Sequence, residues 1–136
     1  MIDKIKNIIL SAYRQYNQIF VKAGKGNYDE KYEPLDRRLL LEYNKARPYG
    51  PRKKACYAPF KSMRIVKTGD VVACCYNKKS LGNLKDNSLK QIWQGEKYNF
   101  LRTKINNDDF SYGCYVCESD IVEKSFSSVH TKQYDY

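Results

Sequence analysis

Long apolar stretches are missing from this sequence of 136 residues. No run approaches the roughly 20 consecutive apolar residues that a membrane-spanning helix needs. The apolar residues among the first twenty positions are interrupted by the polar side chains of Asp3, Lys4, Lys6, Arg14 and Gln15, so they do not form a signal-peptide core. We therefore expect a cytoplasmic protein that has no membrane partner.

Histidine is nearly missing too, since His130 is the single one, and no Cys or Asp adjoins it in the sequence. We expect it to be solvated rather than to act as a metal ligand or a base. The chain has five cysteines, an odd number. Cytosolic thiols are kept reduced and serve mainly in metal binding or redox chemistry, so a disulfide framework is not expected.

Acidic residues are scarce in the middle of the chain. Between Arg37 and Lys67 there are ten Lys or Arg residues and one acid, Glu42, and the whole chain carries a formal charge of +10. Such a patch suits nucleic acid, an acidic peptide or a negatively charged cofactor, and thirteen tyrosines offer stacking surfaces. No helix-turn-helix, RNP or zinc-knuckle pattern accompanies it, so nucleic acid is not favoured, and a solvated basic face is the simpler interpretation.

Hydrophobic periodicity divides the chain into four parts. Apolar residues at steps of three and four predict an amphipathic helix over residues 1–22, and residues 23–49 form a predicted linker with a short helix near Leu39 to Tyr43. The main domain is expected at residues 50–120, and a polar tail at 121–136. These segments predict an α+β fold, a small β-hairpin plus helix domain with an N-terminal amphipathic helix.

Local signals place elements inside the main domain. The turn sequence Thr-Gly-Asp, which contains Gly69, predicts a β-hairpin with strands at about 62–67 and 71–73. Ser88 followed by Gln91 forms a capping-box pattern at the start of a helix, and Gly95 weakens or splits that helix. Trp93, the single tryptophan, falls on the apolar stripe and is predicted to lie in the core.

Four of the cysteines can converge on one site. The hairpin turn brings Cys56 and Cys74 toward the same end, and a C-x-x-C pair, Cys114 and Cys117, directs both sulfurs to one side. Thiolates suit zinc or an iron–sulfur cluster, and the spacing leaves open both of these and unligated thiols. The side chain of Cys75 should point opposite to that of Cys74, which makes it a buried small residue or a spare thiol. A smaller chance is that it replaces Cys74 as a ligand.

Several short motifs, in order, resemble one known family. They are Cys56-Tyr-Ala-Pro-Phe, Gly69-Asp-Val-Val-Ala-Cys-Cys, Leu-Gly-Asn-Leu at 81–84, Ser-Leu-Lys-Gln-Ile-Trp at 88–93, Phe-Leu-Arg at 100–102 and Gly-Cys-Tyr-Val-Cys at 113–117. Twelve residues separate Cys56 from Gly69 and four separate Gly69 from Cys74. The pattern is similar to the SPASM/twitch domain of radical SAM enzymes over roughly residues 50–120.

The resemblance implies an auxiliary [4Fe-4S] cluster with Cys56, Cys74, Cys114 and Cys117 as ligands. No cysteine follows Cys117, so the chain looks like the short, single-cluster twitch form. The Lys and Arg residues that flank the first ligand, Lys53, Lys54, Lys61 and Arg64, would raise the reduction potential of a negatively charged cluster if they face it.

The chain has no C-x-x-x-C-x-x-C motif, so it is not expected to be a radical SAM enzyme on its own. The implied role is electron relay or substrate positioning for a radical SAM catalytic domain. That partner would lie in a separate protein or follow the chain in a longer one, and a peptide or another substrate is a further partner.

Two rival interpretations belong to other classes. One is a zinc-stabilised binding module whose basic, tyrosine-rich face holds RNA or an acidic partner. The other is an interaction domain with reduced thiols, which would fold without regard to metal. The colour of the protein would separate the iron–sulfur interpretation from the zinc interpretation, because iron–sulfur proteins are brown and zinc proteins are colourless.

Overall fold

The computed structural model describes residues 35–136. These residues belong to one compact unit of the chain, Glu33–Tyr136. The helices are α1 (Arg37–Lys45), α2 (Ala58–Lys61), α3 (Leu89–Trp93), α4 (Glu96–Asn106) and α5 (Tyr115–Val122). The strands are β1 (Arg64–Ile65), β2 (Asp70–Val72) and β3 (Gly82–Asn83), and two 3-10 helices follow at Phe126–Ser128 and His130–Tyr134.

The strands form one antiparallel sheet in the order β1-β2-β3. Arg64 pairs with Val72 across the hairpin, and the turn passes through Gly69 at a φ of +86°. The predicted hairpin is therefore confirmed. The sequence motifs did not predict β3, where Val71 pairs with Gly82. A Cβ atom at Gly82 would lie 2.7 Å from the Ile92 side chain, so only glycine fits at this point of the motif.

The helical region after the sheet is divided, as the sequence predicted. The Ser88 hydroxyl accepts a hydrogen bond from the Gln91 backbone N–H, and the Gln91 side chain accepts one from the Ser88 N–H, so the capping box is complete. Helix α3 ends at Trp93, and Gly95 is the N-cap of α4. The two helices are therefore separate elements that pack against each other.

The prediction that Trp93 lies in the core was wrong. Its side chain is half-buried, with its ring centroid 5.0 Å from that of Tyr98 and 4.4 Å from the Arg102 guanidinium carbon. The buried position on α3 is Ile92, which is 3% exposed. Helix α3 has only five residues, so Ile92 reaches the interior while Trp93 lies at the edge of the core.

The core takes its buried side chains from α2, β2, α4, α5 and the segment that follows α5. Helix α2 packs on α4 and on the second 3-10 helix, and α1 packs on α5. The largest fully buried side chains are Tyr98, Phe110, Leu101, Ile105, Ile121, Val71, Val129 and Thr131. Burial of an aliphatic or aromatic side chain stabilises a fold by about 1.5–3 kcal/mol, so this set is the main source of stability.

Residues 121–136, predicted as a polar tail, contain the end of α5 and both 3-10 helices. Val129, Thr131 and Asp135 in this segment are buried. The short helix that was predicted within the linker, near Leu39 to Tyr43, is present and is longer, as α1. The predicted boundaries of the domains stay predictions.

The described part of the chain is α+β, with a small three-stranded antiparallel sheet and short helices. The predicted helix over residues 1–22 and the first part of the predicted linker lie outside the described residues. No helix within residues 35–136 is both long enough and apolar enough to cross a bilayer.

Candidate metal centre

Cys56 lies in the loop that leads into α2. Its side chain is buried, and the backbone N–H of Ala58 donates a hydrogen bond to its sulfur at 3.4 Å. Helix α1 contacts the same loop, because the Tyr43 hydroxyl donates a hydrogen bond to the carbonyl oxygen of Ala55 at 3.2 Å. Cys56 is therefore fixed by contacts on both sides of it in the sequence.

Cys74 and Cys75 follow β2 and take different environments. The Cys74 sulfur accepts a hydrogen bond from the backbone N–H of Asn77 at 3.3 Å and is half-buried. Cys75 is exposed, and its sulfur lies 3.1 Å from His130 Nε2. Of the two alternatives predicted for Cys75, the buried small residue was wrong, because its side chain is exposed, and the spare thiol stays a prediction.

Cys114 and Cys117 begin α5. Cys114 is the N-cap and Cys117 lies in the first helical turn, and a spacing of three places both on one face of the helix. Gly113 precedes them at a φ of +81°. A Cβ atom there would lie against Asn77 Oδ1 and 2.6 Å from Lys79 Cγ, so the close approach of the two loops requires glycine.

Cys56, Cys74, Cys114 and Cys117 all line one cavity. The rest of the lining is mostly apolar and comes from α2, the segment after β2, α4 and the loop after it, α5 and the second 3-10 helix: Ala58, Pro59, Ala73, Tyr76, Asn77, Leu101, Ile105, Phe110, Val116, His130, Thr131 and Tyr134. No Lys, Arg, Asp or Glu is among these described lining residues. Cys75 is not part of the lining. The structure thus brings together the four cysteines that the sequence selected and keeps the fifth apart.

Burial is the main cause of the perturbed pKa values of these thiols. It raises the pKa of Cys56 to about 12 and that of Cys117 to about 11, and it raises the pKa values of Cys74 and Cys114 as well. Electrostatic repulsion from neighbouring cysteines adds to the effect at Cys56, Cys114 and Cys117. Four thiolates in such a cavity need a cationic centre to balance their charge.

The cations act on this site from outside the cavity. Arg47, which is buried, and Arg64 lower the pKa values of Cys56 and Cys74, respectively, by their positive charge. The Lys61 ammonium instead contacts the carbonyl oxygens of Tyr134 and Tyr136, and Lys54 contacts Asn106 and the Phe60 ring. Lys53, Lys54, Lys61 and Arg64 therefore flank the site in sequence but do not line it.

Three residues near the site were missed by sequence reasoning or assigned a different role. Asn77 hydrogen-bonds to Cys74 and Cys114, and Arg47 forms a buried ion pair with Asp135. His130 was expected to be solvated, which was wrong, because it is half-buried, lines the cavity and contacts Cys75 and the Tyr76 ring. The sequence gives no periodic signal for these residues, since each also has a partner that is distant along the chain.

The donor set fits a thiolate-bound metal centre. Four soft sulfur ligands in a mostly apolar cavity suit iron–sulfur or zinc chemistry, and no carboxylate lines the cavity among the described residues. Across residues 35–136, no group of three or more His, Cys, Asp or Glu side chains is arranged to hold a single metal ion.

The fold and the cavity together define a small α+β domain built around four cysteines. Residues 56–118 match the family model of SPASM, an iron-sulfur cluster-binding domain. This match confirms the resemblance over these residues, and SPASM domains bind iron–sulfur clusters and occur together with radical SAM catalytic domains. Neither the curated proteins nor the solved structures gave a match to the chain.

Proposed function

We propose that the domain holds one [4Fe-4S] cluster through Cys56, Cys74, Cys114 and Cys117, as the single-cluster twitch form does. The observation that carries this proposal is the convergence of these four thiols on one apolar cavity inside the segment that matches the SPASM model. The two rival interpretations, a zinc-stabilised module and a metal-free domain, are outcomes of the test below.

When bound, such a cluster supplies one-electron transfer at a potential set by its ligands, its hydrogen bonds and its exposure to solvent. The residues of the chain define that environment. The backbone of Ala58 and Asn77 donates hydrogen bonds to the sulfurs of Cys56 and Cys74. Apolar side chains such as Leu101 and Phe110 keep water from the cavity. The four thiols lose their protons as the metal binds, so loading releases protons.

We propose that the domain serves a radical SAM catalytic domain, in the same polypeptide or in a separate protein of the cytoplasm. Its role is either electron relay or the positioning of a peptide or another substrate. The chain lacks the C-x-x-x-C-x-x-C motif, so it performs no radical chemistry by itself. The second role requires a surface next to the cluster, and exposed Tyr76 and Val116, whose side chains line the cavity, supply one.

The first experiment measures iron, acid-labile sulfide and zinc per chain, together with the visible absorption spectrum, on protein purified or reconstituted without oxygen. The proposal predicts about four irons and four sulfides per chain and a broad visible band. One zinc without sulfide would replace it with the zinc-stabilised module. Folding that is indifferent to metal, with neither metal bound, would leave the interaction domain.

Single cysteine variants test the ligand assignment. Cys114→Ser is expected to lose the cluster and to destabilise the domain, because one of the four proposed ligands is removed and metal binding contributes to folding. Cys75→Ser is the matched control, since its side chain is exposed and outside the cavity. It should retain the iron content of the wild type. Equal iron retention in both variants would contradict the assignment.

A further inference from the structure

The side chain of Asn77 joins the two loops that carry Cys74 and Cys114. It is 3% exposed and lies in the segment after β2. Its Nδ2 donates hydrogen bonds to the Tyr112 carbonyl oxygen at 2.9 Å and to the Cys114 sulfur at 3.4 Å. Its Oδ1 accepts one from the Lys79 backbone N–H at 3.0 Å. A buried polar side chain whose partners are placed this closely has one defined orientation.

The network also fixes which end of the amide faces the sulfur. Rotating the amide by 180° would set Oδ1 against the Tyr112 carbonyl and Nδ2 against the Lys79 N–H. Both contacts would then join like partners, acceptor to acceptor and donor to donor. The amide N–H therefore points at Cys114. The absence of a side chain on Gly113 leaves the space that this arrangement needs.

The sulfur of Cys114 differs from the other three in the origin of its donor. The other three sulfurs accept hydrogen bonds from backbone N–H groups. The donors are Ala58 for Cys56, Tyr76 and Asn77 for Cys74, and His130 and Thr131 for Cys117. Among the hydrogen bonds of residues 35–136, Cys114 is the one cysteine of the cavity that receives its donor from a side chain. A side-chain donor can be removed by substitution, whereas a backbone donor stays.

We propose that Asn77 is a positioning residue of the cluster site, which orients Cys114 and raises the reduction potential of the bound cluster through its hydrogen bond to that sulfur. The inference rests on the proposed function. Reduction adds negative charge to the cluster and its thiolates, and a donor on a ligand sulfur stabilises the more negative state. The same side chain holds the Cys114 loop against the loop of Cys74, so the two ligands are fixed together.

The test compares Asn77→Ala with Asn83→Ala. Asn83 also uses its amide within the domain, donating to the Thr68 carbonyl and to Asp70, but it contacts none of the cysteines in the described structure. Both variants are reconstituted with iron and sulfide, and their midpoint potentials are measured by redox titration with electron paramagnetic resonance. The midpoint of Asn77→Ala should be more negative than that of the wild type, and that of Asn83→Ala should be unchanged. Equal midpoints in all three proteins would overturn the proposal.

Asn77→Ser is the second variant if Asn77→Ala does not fold. Serine retains turn propensity, but its side chain is shorter and does not reach the Cys114 sulfur. The same negative shift is expected of it. An unchanged potential in a loaded Asn77→Ser protein would count against the proposal just as clearly.

A second readout separates this inference from the proposed function. In the metal-free chain, alkylation by iodoacetamide is followed at Cys114 and at Cys117 by peptide mass spectrometry. Asn77→Ala should change the labelling rate of Cys114 and leave that of Cys117 unchanged, because only Cys114 loses a partner. A wild type that binds no cluster would refute the proposed function alone. Unchanged labelling at Cys114 would refute the positioning role whether or not a cluster binds.

Discussion

At the scale of single residues, the site depends on contacts in which one side chain restricts the next. Gly113 has no Cβ, so the Asn77 amide can approach the loop, and the amide in turn reaches the Cys114 sulfur. The sequence Gly-Cys-x-x-Cys thus combines two requirements. The cysteines supply the ligands, and the glycine allows the second loop to come close enough to orient one of them.

Gly113→Ala tests this close approach, with Gly50→Ala as the matched control. Both glycines have a positive φ, +81° and +83°, so alanine at either one costs about 1–2 kcal/mol from backbone strain. A Cβ at Gly50 meets no atom within 4 Å, whereas one at Gly113 meets Asn77 and Lys79. Gly113→Ala should therefore lose roughly 1–3 kcal/mol more, the range for overpacking. Urea denaturation of the metal-free proteins gives both values, and equal losses would mean that Asn77 moves aside freely.

At the scale of elements, the features predicted correctly from the sequence are those that residues close together in the chain determine. The hairpin through Gly69, the Ser88 capping box and the break at Gly95 follow from short-range rules, and each one is present. The two-residue strand β3 was not predicted, because it exists only by pairing with β2. Neither its length nor its composition gives a strand signal, and the glycine it contains is explained by Ile92 of a different element.

The same limit applies to the metal centre. The cysteine spacing and the family motifs selected the four thiols that the structure brings together, and they separated Cys75 from them. Asn77, Arg47 and Thr131 could not be selected, since each has a partner that is 35 or more positions away in the sequence. Sequence patterns report periodicity and local spacing, and long-range polar contacts leave no trace in either.

The hairpin carries a polar network that should respond to pH. Asp70 accepts hydrogen bonds from the side chains of Thr68, Asn83 and Ser80, and these lower its pKa below the ordinary value of 3.8. A lowered folded-state pKa means that the carboxylate stabilises the fold above its ordinary pKa, and that this contribution is lost as the pH falls through the folded-state value. Asp70→Asn should be less stable than the wild type at pH 7, and the difference should shrink as the pH falls below about 4.

The measurement is the urea midpoint of both proteins in buffers from neutral to acidic pH. Thr68→Val is the companion variant, because it removes the donor with the largest effect on the Asp70 pKa. In this variant the folded-state pKa of Asp70 should be closer to the ordinary value, so lowering the pH should cost it less stability than it costs the wild type. A constant difference between Asp70→Asn and the wild type at every pH would contradict this account.

At the scale of the whole described molecule, the first helix and the last residues close the domain around the Cys56 loop. Arg47 binds Asp135 with two hydrogen bonds, from Nε at 2.8 Å and from a terminal nitrogen at 2.5 Å, and a third reaches the Lys54 carbonyl. The Tyr43 hydroxyl contacts Thr131 and the carbonyl of Ala55. Helix α1 and the C-terminal residues are therefore joined next to the residues that precede the first cysteine of the site.

Breaking the Arg47–Asp135 pair should therefore cost far more than breaking an exposed pair. Both side chains are almost fully buried, at 1% and 0% exposure, so Asp135→Asn leaves a buried guanidinium without its counter-charge and should destabilise the fold by about 3–5 kcal/mol. The exposed pair of Lys124 and Glu42 is the control, and Lys124→Ala should cost about 1 kcal/mol or less.

The double variant Arg47→Met with Asp135→Leu distinguishes a charge effect from lost packing. It removes both charges and keeps apolar volume, so it should recover much of the stability that either single change loses. Because Arg47 also holds the Lys54 carbonyl, only two positions before Cys56, iron retention should fall in Arg47→Met and in the double variant alike. Additive stability losses in the double variant would mean that the two residues act separately. Full iron retention in Arg47→Met would mean that the Cys56 loop holds its place without α1.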